Sequence, residues 1–258
     1  MLRQIEEEFK TEGVIEMNMV LGIDCTASNH YSGKRSFGGK SLHTIERNEL
    51  NPYEQAFGIL GSLIEKFDSQ GYFPVYLFGV RDCPKDEVVP LWVDKQTGYE
   101  FLPSIDMVLR QYRKKIKAIK MGGYTTFVPL IQKAIKIATE KKKFIVLIIL
   151  GDGGVTDVPS NVKAIIEAAE YPIGIIFVGL GDGDYKTNPR DPWHFMKQME
   201  SGLAGRKTDN FTFVTYRPGC DPNEFAKRAL TKVPQQLLVS HLRHMIEIPK
   251  ISSKKKLD

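Results

Sequence analysis

Phe144-Ile145-Val146-Leu147-Ile148-Ile149-Leu150-Gly151-Asp152-Gly153 is the stretch that decides the fold. Seven apolar, mostly branched residues in a row leave no polar face. A strand of that kind is buried on both sides, as the inner strands of a parallel sheet are. It is far too short to span a bilayer. It also runs straight into an acid between two glycines. Earlier in the chain, Met17 to Ile23 repeats the design and runs into Asp24-Cys25-Thr26-Ala27-Ser28.

Outward from these runs, strands and helices alternate. Leu2, Ile5 and Phe9 recur at helical spacing and Gly13 stops that helix. Residues 25–50, rich in Ser, Gly, Asn and Lys, read as a long loop. Asn51-Pro52-Tyr53-Glu54 opens a helix with a capping Asn and a Pro in its first turn. Phe73 to Phe78 and Val88 to Val93 read as strands around a turn. Ile105 to Ile116 is a helix, Gly122 to Thr126 a loop, and Ile131 to Ala138 another helix. After the central strand come a helix at Val162–Ala169, a strand at Ile173–Val178 and a short helix behind Asp191-Pro192. A strand at Phe211–Tyr216, a helix capped by Asp221-Pro222, and a helix over Leu237–Ile248 complete the order. The pattern predicts an α/β fold: a doubly wound, mostly parallel central sheet of about six strands with helices on both faces. Residues 1–13 are expected to form an N-terminal helix, 14–248 the domain and 249–258 a basic tail. A ligand site belongs at the carboxyl ends of the strands.

The chain of 258 residues has a formal net charge of +5, with 42% hydrophobic and 26% charged residues, which excludes disorder for its bulk. The charge is uneven. Residues 110–120 hold six basic residues and no acid, and residues 250–258 hold four lysines and one acid, so the remainder is slightly acidic. Two patches do not make the continuous basic face of a nucleic-acid binder. The first patch, with Arg110, Arg113, Lys114 and Lys117, reads as a solvated helix face, or else as a docking surface for an acidic partner or anionic lipid. Three widely spaced cysteines without a CxxC pair exclude a disulfide framework, a zinc finger and a RING finger. The acidic N-terminus lacks the apolar run of a signal peptide, so a cytoplasmic setting is expected, with the nucleus as alternative.

The chemistry lies at the strand ends. Asp24, Thr26 and Ser28 alternate, so in an extended loop their side chains point the same way. Asp152 ends the second strand, and Thr125-Thr126 precede a helix. On one sheet edge these groups offer two carboxylates and three hydroxyls, hard oxygen donors that suit Mg²⁺, with Mn²⁺ or Ca²⁺ as alternatives. Gly33 to Ser41 imitates a phosphate-binding loop but has one residue too many between Gly33 and Gly39. Gly179 to Gly183 lacks dinucleotide-binding spacing and reads as a turn or a rim of the site.

A strand ending in DxTxS, then GxT before a helix, then a strand ending in GDG resembles the von Willebrand factor A domain. DCTASN at 24–29, SLHTI at 41–45, NPYEQA at 51–56 and YTTFVP at 124–129 resemble its copine type, found in copines and plant RING ubiquitin ligases. The resemblance implies an adhesion-type metal site with Asp24, Thr26, Ser28, Thr125 and Asp152 as ligands. Thr126 is the alternative to Thr125, and Asp157 a supporting acid. It further implies a non-enzymatic protein-binding module, in which an acidic partner side chain completes the ion's coordination, and a link to the ubiquitin pathway. The lipid-binding modules of copines and the RING finger of the plant ligases are not found in these residues, so membrane binding and ubiquitin transfer are not expected. The competing expectations are a Mg²⁺-dependent enzyme acting on a phosphorylated substrate, and an adaptor on anionic lipid.

Overall fold

The computed structural model describes residues 3–14, 16–68 and 71–246. In chain order, helix α1 (Arg3–Thr11) leads into strand β1 (Asn18–Asp24), a 3-10 turn (Ala27–His30) and helix α2 (Pro52–Ile64). Strands β2 (Phe73–Phe78), β3 (Val89–Pro90) and β4 (Phe101–Leu102) precede helices α3 (Ile105–Lys115) and α4 (Val128–Lys141). Then come β5 (Ile145–Gly151), α5 (Val158–Ala168), β6 (Ile173–Gly179), α6 (His194–Ser201), β7 (Phe211–Thr215), α7 (Pro222–Leu230) and α8 (Val233–Leu242).

The sheet order is β3-β2-β1-β5-β6-β7, with β4 beside β2. β2, β1, β5, β6 and β7 run parallel; β3 and β4 are antiparallel to β2. Every residue of β1, β2, β5 and β6 is buried. Their alternate side chains serve two cores. Leu21, Ile23, Val146, Ile148 and Leu150 pack with α2, α3 and α7 on one face. Val20, Leu147, Ile149, Ile175 and Phe177 pack with α4, α5 and α6 on the other. Each such fully buried aliphatic side chain is worth about 1.5–3 kcal/mol. Gly22 on the second face admits α4 closely: a Cβ there would lie 2.0 Å from Leu130 Cδ2.

The sheet has seven strands. The additional one, β4, has two residues, too few to show a period in sequence. β3 is likewise two residues instead of the stretch Val88–Val93; it lies at the sheet edge, and Pro90 has no N–H for a ladder. α8 begins at Val233, not Leu237, because Pro234 is accepted in its first turn. The end of that predicted helix and the basic tail lie outside the described residues. No helix among the described residues is long and apolar enough to cross a membrane.

β1 connects through α2 on one face and β5 through α5 on the other, so the loops leaving these neighbouring strands part in opposite directions. That is a topological switch point, with a crevice outside the strands' carboxyl ends.

Candidate metal centre

The parallel register aligns Ile23 with Leu150, which sets Asp24 beside Gly151 and next to Asp152. Gly151 keeps that approach open, since a Cβ there would sit 3.1 Å from Asp24 Oδ2. Thr26 donates to Asp24 Oδ1 twice, from its N–H at 2.8 Å and from its hydroxyl at 2.6 Å. The Thr26 and Ser28 hydroxyls are 2.9 Å apart. Ser32 Oγ donates to Asp152 Oδ2 at 2.7 Å. Asp24, Thr26 and Asp152 are buried, while Ser28 reaches solvent.

Thr125 comes from the third loop, which is tied to both of the others. Gly122 accepts from Ala27 N–H at 2.6 Å, and Thr125 C=O accepts from Thr156 N–H at 2.9 Å. Thr156 Oγ1 accepts in turn from Thr125 N–H at 2.9 Å. Two other predicted residues face elsewhere. The Thr126 hydroxyl donates to Asn161 Oδ1 at 3.3 Å and accepts from Val128 N–H at 3.2 Å, which secures the start of α4. Asp157 is the N-cap of α5, accepting from Ser160 N–H at 3.2 Å, and its bonds to Ser160 hold its carboxyl below the usual range. In these positions both keep helices from starting with bare donors.

Burial, and next the Asp152 carboxylate, push Asp24 up to about 7. Burial likewise raises Asp152, against the hydroxyls of Ser32 and Ser28 that favour its charged form. Two buried carboxylates this close resist ionising together unless a cation joins them. The donors fit such an ion: all are hard oxygens, and Cys25, the nearest sulfur in sequence, is turned into the core. Among the described residues no cluster of three His, Cys, Asp or Glu exists, so an ion at this place would have to draw on hydroxyls as well as the two carboxylates.

Behind the site lies a buried relay that sequence reasoning missed. The Asp24 carbonyl accepts from His43 Nε2 at 2.7 Å and from Tyr53 OH at 3.3 Å. A carbonyl cannot donate, so His43 carries its proton on Nε2, and its Nδ1 accepts from Tyr112 OH at 2.7 Å. Burial lowers His43 to about 3, so it is neutral. Asn51 Nδ2 donates to Tyr112 OH at 3.1 Å, and Asn51 closes a reciprocal cap with Glu54 at the start of α2. Tyr53 OH also donates to Asn29 Oδ1 at 2.6 Å, and Asn29 Nδ2 donates to the Thr26 carbonyl at 3.1 Å. The stretches 41–45 and 51–56 held the signal, but only as resemblance.

The relay ends at Arg113 in the basic patch. Arg113 is ion-paired with the fully buried Glu54 and donates to the Glu46 and Glu49 carbonyls at 3.0 and 3.2 Å. Its guanidinium is thus engaged within the fold. Arg110, Lys114 and Lys117 are exposed. A cleft of about 740 Å³ lies at the opposite end of the sheet, where Phe144 and Pro172 lead into β5 and β6, away from the paired carboxylates.

A protein-family description, Copine, matches residues 41–248. The chain belongs to the copine family. The copine match covers Thr125 and Asp152 and begins after Asp24, Thr26 and Ser28. Copine family protein 2 of Caenorhabditis elegans is 36% identical over 241 residues, covering 91% of this chain and 3% of that protein. E3 ubiquitin-protein ligase RGLG1 of Arabidopsis thaliana is 32% identical over 248 residues, covering 91% of this chain and 50% of that protein. The chain thus spans a small part of the nematode copine relative and half of the plant one. The crystal structure of the SpRpn10 VWA domain superposes with a TM-score of 0.50 at 12% identity, covering 83% of this chain and 94% of that one. At that identity the likeness is one of fold: the copine chain has the α/β architecture of a von Willebrand A domain.

Proposed function

We propose that this copine domain is a non-enzymatic protein-binding module whose partner docks through a divalent cation. The cation is Mg²⁺, with Mn²⁺ or Ca²⁺ as alternatives, held by Asp24, Thr26, Ser28, Thr125 and Asp152. The observation that carries this reading is the pair of buried carboxylates, Asp24 and Asp152, neither of them ion-paired to a basic side chain among the described residues. Bound there, the ion supplies a local positive charge and a coordination position that a partner carboxylate can fill.

The chain's own residues do the rest. Thr26 fixes the Asp24 carboxylate, Ser32 fixes Asp152, and the exposed Ser28 hydroxyl stands at the mouth. Binding is favoured over catalysis because His43, the histidine behind the loop, has both ring nitrogens engaged and stays neutral. The ligase names of the plant relatives support a search among ubiquitin-pathway partners.

Affinity capture with the immobilised chain tests this. Proteins retained in Mg²⁺ are expected to be lost with chelator and with Asp24→Ala. The same proteins retained under both conditions would overturn the reading.

A further inference from the structure

Beside the paired carboxylates opens a cleft of about 670 Å³, lined by Ser28 and Asp152 at its floor and by Tyr31, Lys34, Arg35, Asp182, Tyr185 and Lys186 around it. Two loops build this rim. The first, residues 28–36, follows β1; the second, residues 180–186, follows β6. They are clamped together. Both carboxylate oxygens of Asp182 accept backbone N–H groups of the first loop, from Arg35 and Ser36 at 2.9 Å each. Asp182 N–H donates to the Ser32 carbonyl at 2.7 Å. Gly181, at φ +76°, permits this contact, because a Cβ there would come within 2.4 Å of that carbonyl.

The clamp leaves a set of side chains free at the rim. The Arg35 guanidinium lies 4.2 Å from the centre of the Tyr185 ring. Tyr31 is 76% exposed, unusual for so large a ring. Lys34, Arg35 and Lys186 are exposed, with no ion pair among the described residues.

The charge count decides what can dock. Three basic residues, Lys34, Arg35 and Lys186, face three acids, Asp152, Asp182 and Asp184, so the cleft alone is balanced. Asp182 is moreover committed to backbone donors. A divalent cation at Asp24 and Asp152 adds two positive charges against the one further negative charge of Asp24, so the loaded cleft carries a net +1 and favours anions. Three separated cations between acids do not track a phosphate backbone. They suit carboxylates spaced along an extended peptide, whose stems can lie on Tyr31 and Tyr185.

We infer that the partner presents an acidic peptide segment: one carboxylate meets the ion, and neighbouring carboxylates pair with Lys34, Arg35 and Lys186 on an aromatic-lined rim that becomes attractive only once the cation is bound. This rests on the metal-dependent reading above and names the partner's chemistry.

Two titrations on the full chain separate the two ideas. Calorimetry with MgCl₂ follows the ion alone. Fluorescence anisotropy follows a fluorescein-labelled peptide of alternating Asp and Glu, against the same peptide in Asn and Gln. The wild type is expected to bind Mg²⁺, then the acidic probe, and to lose the probe with chelator. The exposed-site variant Lys34→Glu/Arg35→Glu/Lys186→Glu is expected to keep its Mg²⁺ titration while losing probe affinity at least about tenfold. Unchanged probe affinity in this variant, equal binding of the neutral peptide, or no probe binding by Mg²⁺-loaded wild type overturns the acidic-peptide inference and leaves the metal site standing. Absence of any Mg²⁺ heat in the wild type overturns the metal reading beneath it.

Discussion

Asp24 is held in place by bonds that favour its charge and sits in surroundings that oppose it. Thr26 donates to its carboxylate twice, yet burial and Asp152 raise it from 3.8 to about 7. A carboxyl whose folded value lies above its unfolded one destabilises the fold progressively as pH rises from the lower value to the higher. At neutral to mildly alkaline pH the ion-free protein therefore carries a destabilising charge. Asp24→Asn keeps the shape and removes that charge. In chelator the variant is expected to melt no lower than wild type. In Mg²⁺ the wild type should gain stability and the variant should not. Scanning fluorimetry of both proteins in both buffers checks this. A variant that melts well below wild type in chelator would mean that the hydrogen bonds of Asp24, not its charge, dominate its role.

At the scale of elements, the relay couples α2 and α3 to the loop after β1. Its outer end is the Glu54–Arg113 pair, with the acid fully buried and Arg113 29% exposed. Removing one partner of a buried pair strands the other charge. Arg113→Ala is thus expected to cost about 3 kcal/mol in urea unfolding. Lys114→Ala, the next residue but exposed, should stay within about 0.5 kcal/mol. Equal effects would mean that Arg113 belongs to the surface patch after all. The contrast marks what the amino-acid order could disclose. The start of α2 was legible because a cap needs fixed residue types at fixed spacing, and Asn51, Pro52 and Glu54 supply them. β1, β5 and β6 were legible because a strand buried on both faces must be apolar throughout. His43, Asn51 and Tyr112 were not, since their contacts join residues as many as 69 positions apart and leave no local period. Nor were β3 and β4, whose pairing is imposed by the edge of β2. Among the candidate ligands, alternation picked out Asp24, Thr26 and Ser28. Spacing could not tell Thr125 from Thr126, because which hydroxyl turns to Asn161 depends on the packing of α4 against α5.

At the scale of the whole molecule, the site is a consequence of strand order. β1 and β5 are neighbours in the sheet but far apart in the chain, and their acids meet only because the connections wind to opposite faces. The loops after β1, before α4 and after β5 are already laced by the Gly122 and Thr125–Thr156 bonds. An ion shared by Asp24, Thr125 and Asp152 would fasten all three loops at once. Binding to the folded state alone adds about 2.7 kcal/mol when the ion is at a hundred times its dissociation constant. Slower amide exchange is therefore expected on Mg²⁺ addition at residues 25–32, 122–126 and 152–157 together. The middle segment is the decisive one, because 122–126 contains no charged residue and has no electrostatic reason of its own to respond. Asp152→Asn should abolish the slowing in all three. Hydrogen–deuterium exchange with mass spectrometry resolves the segments. Protection confined to 25–32 and 152–157 would remove Thr125 from the coordination set and reduce the centre to two loops.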